Sequence, residues 1–517
     1  MFDLVLIGGR VVDGTGAPWY YGDVAVSGER IAAVGNLAHA EARETLSVTN
    51  KVVCPGFVDA HVHGDLALLA DPTHEPAIRQ GVTTYIIGQD GCGFAPASEP
   101  TIAYMRQYTA GFTGVFPNLD CDWSDVDQYL ARFHRQVSLN VAYLVPNGSV
   151  RMEVLGLERR SARADELQAM RRLVRNAMDQ GAIGLSSGLD YIPSLYADAR
   201  ELSELCKQIV PYGGVYVSHM RTGRGTRIHE GIDEVYAIGR TSGCRLHISH
   251  FNFTKEYLAR IDMGRANGFD ITFDSYPYRA GMSLLAMLVL PESMQVGGIE
   301  ATLERLADKR TRRELSEAIE RLPTRPESIQ LAAVDAPEYR ALEGQMLVDA
   351  ARLTRLTVPE LVCELLVASR LAVGAVVFDT IRRDDDLVAC MTHPCQMACS
   401  DGIFFGGSPH PRGYGAFAKF LGEYAREKGA WSLEEAVRHL SYHAAARFRL
   451  PERGLVRPGM VADLVVFDPE RIGARATYRS PKELAVGVEH VLVGGVVTLR
   501  DGVHTGATNG QALRRTH

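Results

Sequence analysis

Short apolar runs alternate with amphipathic stretches through the middle of the chain. FVDAHVH, TTYIIG, NVAYLVP, AIGLSSG, VYVSHM, RLHISH, DITFDSYP, AVVFDT and QMACSDG read as buried strands. The stretches between them carry helical spacing. In SARADELQAMRRLVRNAMDQG, residues Leu167, Met170, Leu173, Val174, Ala177 and Met178 fall on one helical face, with Ser161 placed to cap the start and Gly181 to end it. Strand–helix alternation implies a parallel sheet, and about eight repeats imply a closed barrel. The nine candidate strands are one too many, and AVVFDT is assigned outside the barrel. The mostly helical stretch from Met282 to about Gln345 interrupts the alternation and reads as an insertion placed to fold over a site.

The two chain ends carry a different pattern. FDLVLIGGRVV and DVAVSGERIAAVG near the start, and ADLVVFDP and VEHVLVGGVVTLRDG near the end, are strand-like runs broken by Gly-rich turns. They are expected to pair with each other. The predicted fold is therefore α/β: a distorted TIM (β/α)8 barrel with a small β-sandwich made from both chain ends. Residues 1–55 and 451–517 form the sandwich and tail. Residues 56–450 form the barrel, with the helical insertion at about 282–345.

Composition changes this picture little. The 517 residues are 46% hydrophobic and 23% charged, with a formal net charge of −7. There is no Lys/Arg block, so neither nucleic acid nor an anionic membrane is an expected partner. The opening MFDLVLIGGRVVDG lacks a basic segment before its short apolar run, and no 18-residue apolar stretch occurs. Nine cysteines, an odd number without framework spacing, point to reduced thiols and a cytoplasmic location.

The chemistry lies at the strand ends. His61 and His63 are two apart on an extended segment, so their side chains share a face. His219 ends VYVSH, His250 ends RLHISH, Asp401 ends QMACSD, and Cys92 follows TTYIIG by a few residues. The C-terminal ends of barrel strands converge on one face. Imidazole and thiolate suit zinc, and a carboxylate can complete the set. His74, His134, His229, His439, His443 and His504 are read as ordinary helix or loop residues, and His247 as barrel packing. The remaining cysteines are read as buried thiols.

In GFVDAHVH, QGVTTYIIGQDGCGF, VSHMRT, ISHF, DSYPY, SDG, HPRGYG, GLVRPGMVADLVVFDP and the terminal TGATNGQALRR, the chain resembles the amidohydrolase superfamily. Within it, the resemblance is to the N-acyl-D-amino-acid deacylases, over nearly the whole length. It implies hydrolysis of a small N-acyl-D-amino acid, with Cys92, His219 and His250 holding a tight zinc. It implies a second, weaker metal position at His61, His63 and Asp401, with Asp401 as the catalytic acid/base. It also implies that Arg412 pairs with the substrate carboxylate, helped by Tyr276 or Tyr278. Three departures stand out. Asn252 replaces a cation common in the family, Arg279 follows YPY where Thr is usual, and GQDGCGF carries one residue more than the usual NCGF. These changes leave open another amidohydrolase activity, on a cyclic amide or a different N-acyl compound. A metal-free scaffold would have lost its ligands, and a nucleobase deaminase would need a His/Glu element that only His229 and Glu230 approach.

Overall fold

The computed structural model describes residues 1–221, 227–251, 253–320, 324–378 and 382–515. Asn252 therefore lies outside the described residues. Eight strands run parallel in one sheet: β6 (Phe57–Asp59), β7 (Val82–Ile87), β8 (Asn140–Pro146), β9 (Gly184–Gly188), β10 (Val215–His219), β11 (Arg245–Ile248), β12 (Ile271–Ser275) and β16 (Gln396–Ala398). Beyond the last paired residues, hydrogen bonds tie the two edges and close the barrel. The Ala60 N–H donates to the Ala398 carbonyl at 3.2 Å, Asp401 N–H to His61 O at 2.8 Å, and His63 N–H to Gly402 O at 3.0 Å. Every residue of β7, β8, β9 and β10 is buried. That explains why these strands read as near-continuous apolar runs: helices cover one face and barrel packing fills the other.

The helix Ala164–Asp179 shows how a barrel helix is specified. Leu167, Met170, Val174, Ala177 and Met178 are buried, as its spacing predicts. Its start differs. Ser161 does not cap it; its hydroxyl donates to Asp198 at 2.6 Å, and the Glu166 carboxylate accepts the Arg163 N–H at 2.8 Å instead. Such a reach-back carboxylate satisfies one of the helix's free N-terminal donors.

A nine-stranded sheet joins the chain ends. The first strands are β1 (Phe2–Val11), β2 (Tyr20–Ser27), β3 (Arg30–Gly35), β4 (Ala42–Ser47) and β5 (Val52–Pro55). The last are β17 (Leu464–Phe467), β18 (Val488–Val493), β19 (Val496–Arg500) and β20 (Val503–His504). The two sets meet where β5 pairs antiparallel with β17. Asp463, just before β17, pins this seam to the barrel. Its carboxylate accepts from Arg453 at 2.8 Å, from Asn140 at 2.9 Å and from the Gly494 N–H at 2.7 Å.

Between β12 and β16 the chain makes its excursion. It opens with a short strand, is helical through Gly298–Ala307 and Lys309–Glu320, and then returns to strand. β13 (Gly281–Leu284), β14 (Ile329–Val334) and β15 (Val373–Val377) form a separate three-stranded antiparallel sheet. The described part of AVVFDT thus lies outside the barrel, while the excursion runs well past Gln345 and has its own sheet. Periodicity missed this because β15 is flanked by the helices Val358–Ala368 and Asp384–Met391, which mimic a barrel repeat. No helix among the described residues is long and apolar enough to cross a membrane.

Candidate metal centre

Five strand ends deliver their side chains to one point. His61 and His63 extend from β6, both buried. His219 is the last residue of β10. His250 follows β11 by two residues with φ at 36°, and Asp401 follows β16 with φ at 48°. This left-handed backbone turns both side chains across the barrel mouth; it is rare outside glycine and often functional.

The fifth contribution differs from expectation. After β7 the chain turns sharply: Gly88, Asp90 and Gly91 all have positive φ (76°, 57° and 64°). At Gly88 a Cβ would sit 2.3 Å from the Leu144 carbonyl, so glycine is required there. The turn places the Asp90 carboxylate among the histidines. Asp90 Oδ1 lies 3.5 Å from His61 Nε2, while Oδ2 lies 3.4 Å from His219 Nδ1, 3.6 Å from His63 Nε2 and 3.8 Å from His250 Nε2. Among the described residues, the ligand-type atoms gathered here form two groups that share His61: His61/Asp90/His250 and His61/His63/Asp401. His219 is in neither, and nor is Cys92. Cys92 is buried, its N–H donates to Gln89 O at 2.9 Å, and burial first, then the Asp90 and Asp65 charges, push its thiol pKa well up.

The electrostatics fit a cation at this point. Both ring nitrogens of the fully buried His61, and Asp90 Oδ1, have no hydrogen-bond partner among the described residues. Polar atoms so buried are normally satisfied, and an ion bound between them would satisfy these. Burial alone would lower the His61 and His219 pKa values, but the carboxylates, led by Asp90, outweigh it and raise them to about 9 and about 10. Burial conversely raises Asp90, yet His61 and His219 hold it well below the usual carboxylate range.

Two carboxylates behind the cluster set its orientation. Asp274 of β12 accepts the His250 N–H at 2.7 Å, pairs with His247 Nε2 at 2.8 Å and stands 3.7 Å from His61 Nδ1. His247 is thus a buried partner of this carboxylate as well as barrel filling. Asp59 accepts the Ser400 N–H at 2.8 Å and the His61 N–H at 3.3 Å, bracing β6 against the segment that carries Asp401. Asp274 and Asp190, which lies 3.2 Å from His219 Nε2, were not singled out from the sequence. DITFDSYP carries the only local signal for Asp274: a charged residue inside an apolar strand.

Arg412 and Tyr276 reach the cluster; Tyr278 does not. Arg412 Nη1 lies 2.8 Å from Asp401 Oδ2, and the guanidinium sits 4.6 Å above the Tyr276 ring. Its Nε and Nη1 lack hydrogen-bond geometry to any acceptor among the described residues. Its Nη2 is 3.5 Å from the Met282 carbonyl of β13, so the excursion's first strand borders the site. Tyr278 instead packs beneath Lys419, 4.7 Å from its ring, and against His410. Arg279 is exposed beside Asp384, and Arg221 is occupied by Glu234 and two carbonyls.

A parallel barrel with a histidine–carboxylate centre at its strand C-termini, joined to a sheet of both chain ends, is an amidohydrolase arrangement, and the amidohydrolase family model matches residues 44–325 and 387–499. The chain belongs to the amidohydrolase family. Within it, the chain is 33% identical to D-aminoacylase of Alcaligenes xylosoxydans xylosoxydans, over 100% of this chain and 98% of that one. A solved D-aminoacylase with a binuclear metal centre superposes with a TM-score of 0.84 at 33% identity, covering 100% of both chains. N-acyl-D-glutamate deacylase from Bordetella bronchiseptica, solved with zinc and a phosphonate that mimics the tetrahedral intermediate, superposes with a TM-score of 0.83 at 31% identity, covering 99% of both.

Proposed function

We propose that this protein is a zinc-dependent N-acyl-D-amino-acid deacylase, hydrolysing the amide bond to release a D-amino acid and a carboxylate. The observation that carries the reading is Asp401: its Oδ1 lies 3.4 Å from His63 Nε2 and its Oδ2 against Arg412, inside a histidine cluster. The full-length similarity to D-aminoacylase supports the substrate class.

His219, His250 and Asp90 would hold the tight ion, and His61, His63 and Asp401 a weaker one. When bound, zinc supplies a Lewis acid that lowers the pKa of water to about 7 and polarises the amide carbonyl. The protein's own groups do the rest. Burial raises the Asp401 pKa, but Arg412 and the histidines outweigh it and hold it down to about 2, so the side chain is ionised and able to accept a proton. It takes the proton of the attacking water and returns it to the leaving nitrogen. The Arg412 guanidinium, held against Asp401 through Nη1, binds the substrate carboxylate, since a planar fork suits bidentate pairing. Tyr276 beneath it fixes its plane.

Asp401→Asn tests the assignment. Asparagine tolerates the left-handed backbone at this position but cannot take a proton. With zinc content measured alongside, kcat on N-acetyl-D-amino acids is expected to fall by about a hundredfold or more while the tight ion stays. A variant that retains zinc and most of its kcat refutes the proton-transfer role.

A further inference from the structure

A second group of metal-type ligands lies at the other end of the barrel. Glu435 and His439 are four apart on the helix Leu433–Leu440, so they share one face, and His443 stands on the next helix, Tyr442–Arg447, after a break at Ser441. One ligand atom from each lies within 4.8 Å of the others. They pack against Gln396, which starts β16, the strand whose far end leads to Asp401.

Gln396 fixes the protonation pattern of both rings. Its amide nitrogen donates to the Met397 carbonyl at 2.7 Å and the Ser275 hydroxyl at 3.1 Å, which identifies the other amide atom as the oxygen. That oxygen is 2.6 Å from His439 Nδ1, so Nδ1 carries the hydrogen. His443 Nδ1 likewise donates to the Gln396 backbone carbonyl at 2.9 Å. A neutral imidazole that donates through Nδ1 presents a bare lone pair at Nε2. On His439 that lone pair meets Glu435 Oε1 at 3.3 Å, acceptor against acceptor. Only a proton or a metal ion can reconcile the two.

Burial lowers the pKa of His439, against the pull of Glu435, and burial with the neighbouring His439 takes His443 down to about 4. Arg438 touches Glu435 at 3.3 Å and neutralises part of its charge, but it brings nothing to the histidine lone pairs. N–H donation to a carbonyl is also the support that orients metal-binding histidines.

We propose that Glu435, His439 and His443 form a second, separate site for a divalent transition metal. Two imidazoles and one carboxylate are a ligand set suited to zinc and its neighbours, and the site leaves a coordination position open. Access is through a cavity of about 520 Å³ at the strand N-termini, lined by His443, Thr272, Cys395 and Arg447. A bound ion there would staple the C-terminal helices to the base of β16, away from the hydrolytic chemistry.

The Trp431 ring, 5.0 Å from His439, supplies a reporter. Co2+, which is paramagnetic, is titrated into protein whose catalytic centre is already loaded with zinc, and tryptophan fluorescence is followed. Saturable quenching at one equivalent is expected, and Trp431→Phe should abolish it. His443→Ala should abolish it too, with unchanged turnover of an N-acetyl-D-amino acid. Glu435→Gln, at a half-exposed position, should weaken Co2+ binding about tenfold or more and serves if His443→Ala does not fold. No saturable quenching in the wild type, or equal quenching in folded His443→Ala or Glu435→Gln, overturns the proposal. Failure of the hydrolase reading would leave the quenching intact.

Discussion

The sequence resemblance gives a ligand role to Cys92, whereas the Asp90 carboxylate lies among the histidines, so Asp90→Asn is the most informative perturbation of the metal centre. The substitution preserves shape and tolerates the backbone φ of 57°. It removes one negative charge from among four imidazoles whose nitrogens stand 3.4 to 3.8 Å away. An ion held by those rings would lie against the carboxylate. A unit charge pair near 4 Å at an effective dielectric of 20 is worth about 4 kcal/mol, and about 1.4 kcal/mol corresponds to tenfold in affinity. The estimate is thus a loss of roughly a thousandfold. Two corrections oppose each other. A divalent ion strengthens the attraction, whereas His61 and His219, freed from Asp90, give up their protons more easily and so compete less with the metal. Zinc affinity of the stripped protein is measured by competition with a chelator of known affinity. Asp90→Asn should bind about a thousandfold more weakly than the wild type, and Cys92→Ala within about tenfold of it. The reverse ranking would return the ligand role to Cys92 and refute the turn geometry as the reason for its exclusion.

Three further outcomes are expected. Arg412→Lys keeps the charge but loses the fork, so KM for N-acyl-D-amino acids should rise with kcat little changed, and the corresponding amides should be indifferent; equal effects on acids and amides would make Arg412 structural. In metal-free protein, His61 and His219 are raised to about 9 and about 10. Their stabilisation is therefore fully present below an unfolded value of about 6.5 and is lost as pH rises through 9 and 10. Urea midpoints of the stripped protein should fall over that range, and a flat profile contradicts the assigned charges. Asp463→Ala leaves Arg453 unpaired in the seam between the chain-end sheet and the barrel, a loss of about 3–5 kcal/mol for a broken buried pair; denaturant unfolding that shifts by less than about 1 kcal/mol would remove Asp463 from that role.

Much of the barrel was legible because its strands are covered on both faces and so appear as uninterrupted apolar runs. His61 and His63 were legible because period-two spacing at a strand end needs no tertiary information. Asp90 was not. It is two residues from Cys92, both are ligand types, and only the positive φ angles at Gly88, Asp90 and Gly91 decide which of them faces the histidines. Asp274 was hidden for a related reason: its role depends on β11 and β12 lying side by side, which no local pattern states. The sheet of the excursion was hidden because β13, β14 and β15 are far apart in sequence, and each alone resembles a barrel strand or a loop. His439 and His443 show a limit of another kind, since their helical spacing is visible, while the Gln396 amide that fixes their tautomers comes from a different part of the chain.

The central claim is the reaction itself. Protein stripped of metal and reconstituted with zinc is assayed for amide hydrolysis against matched N-acetyl-D- and N-acetyl-L-amino acids and a cyclic hydantoin, with the metal-free protein alongside. Turnover of D-substrates is expected to depend on zinc and to exceed that of the L-series and the cyclic amide by at least about a hundredfold, a difference of about 2.7 kcal/mol in the barrier. Preferential opening of the hydantoin, or equal rates with and without metal, would contradict that claim.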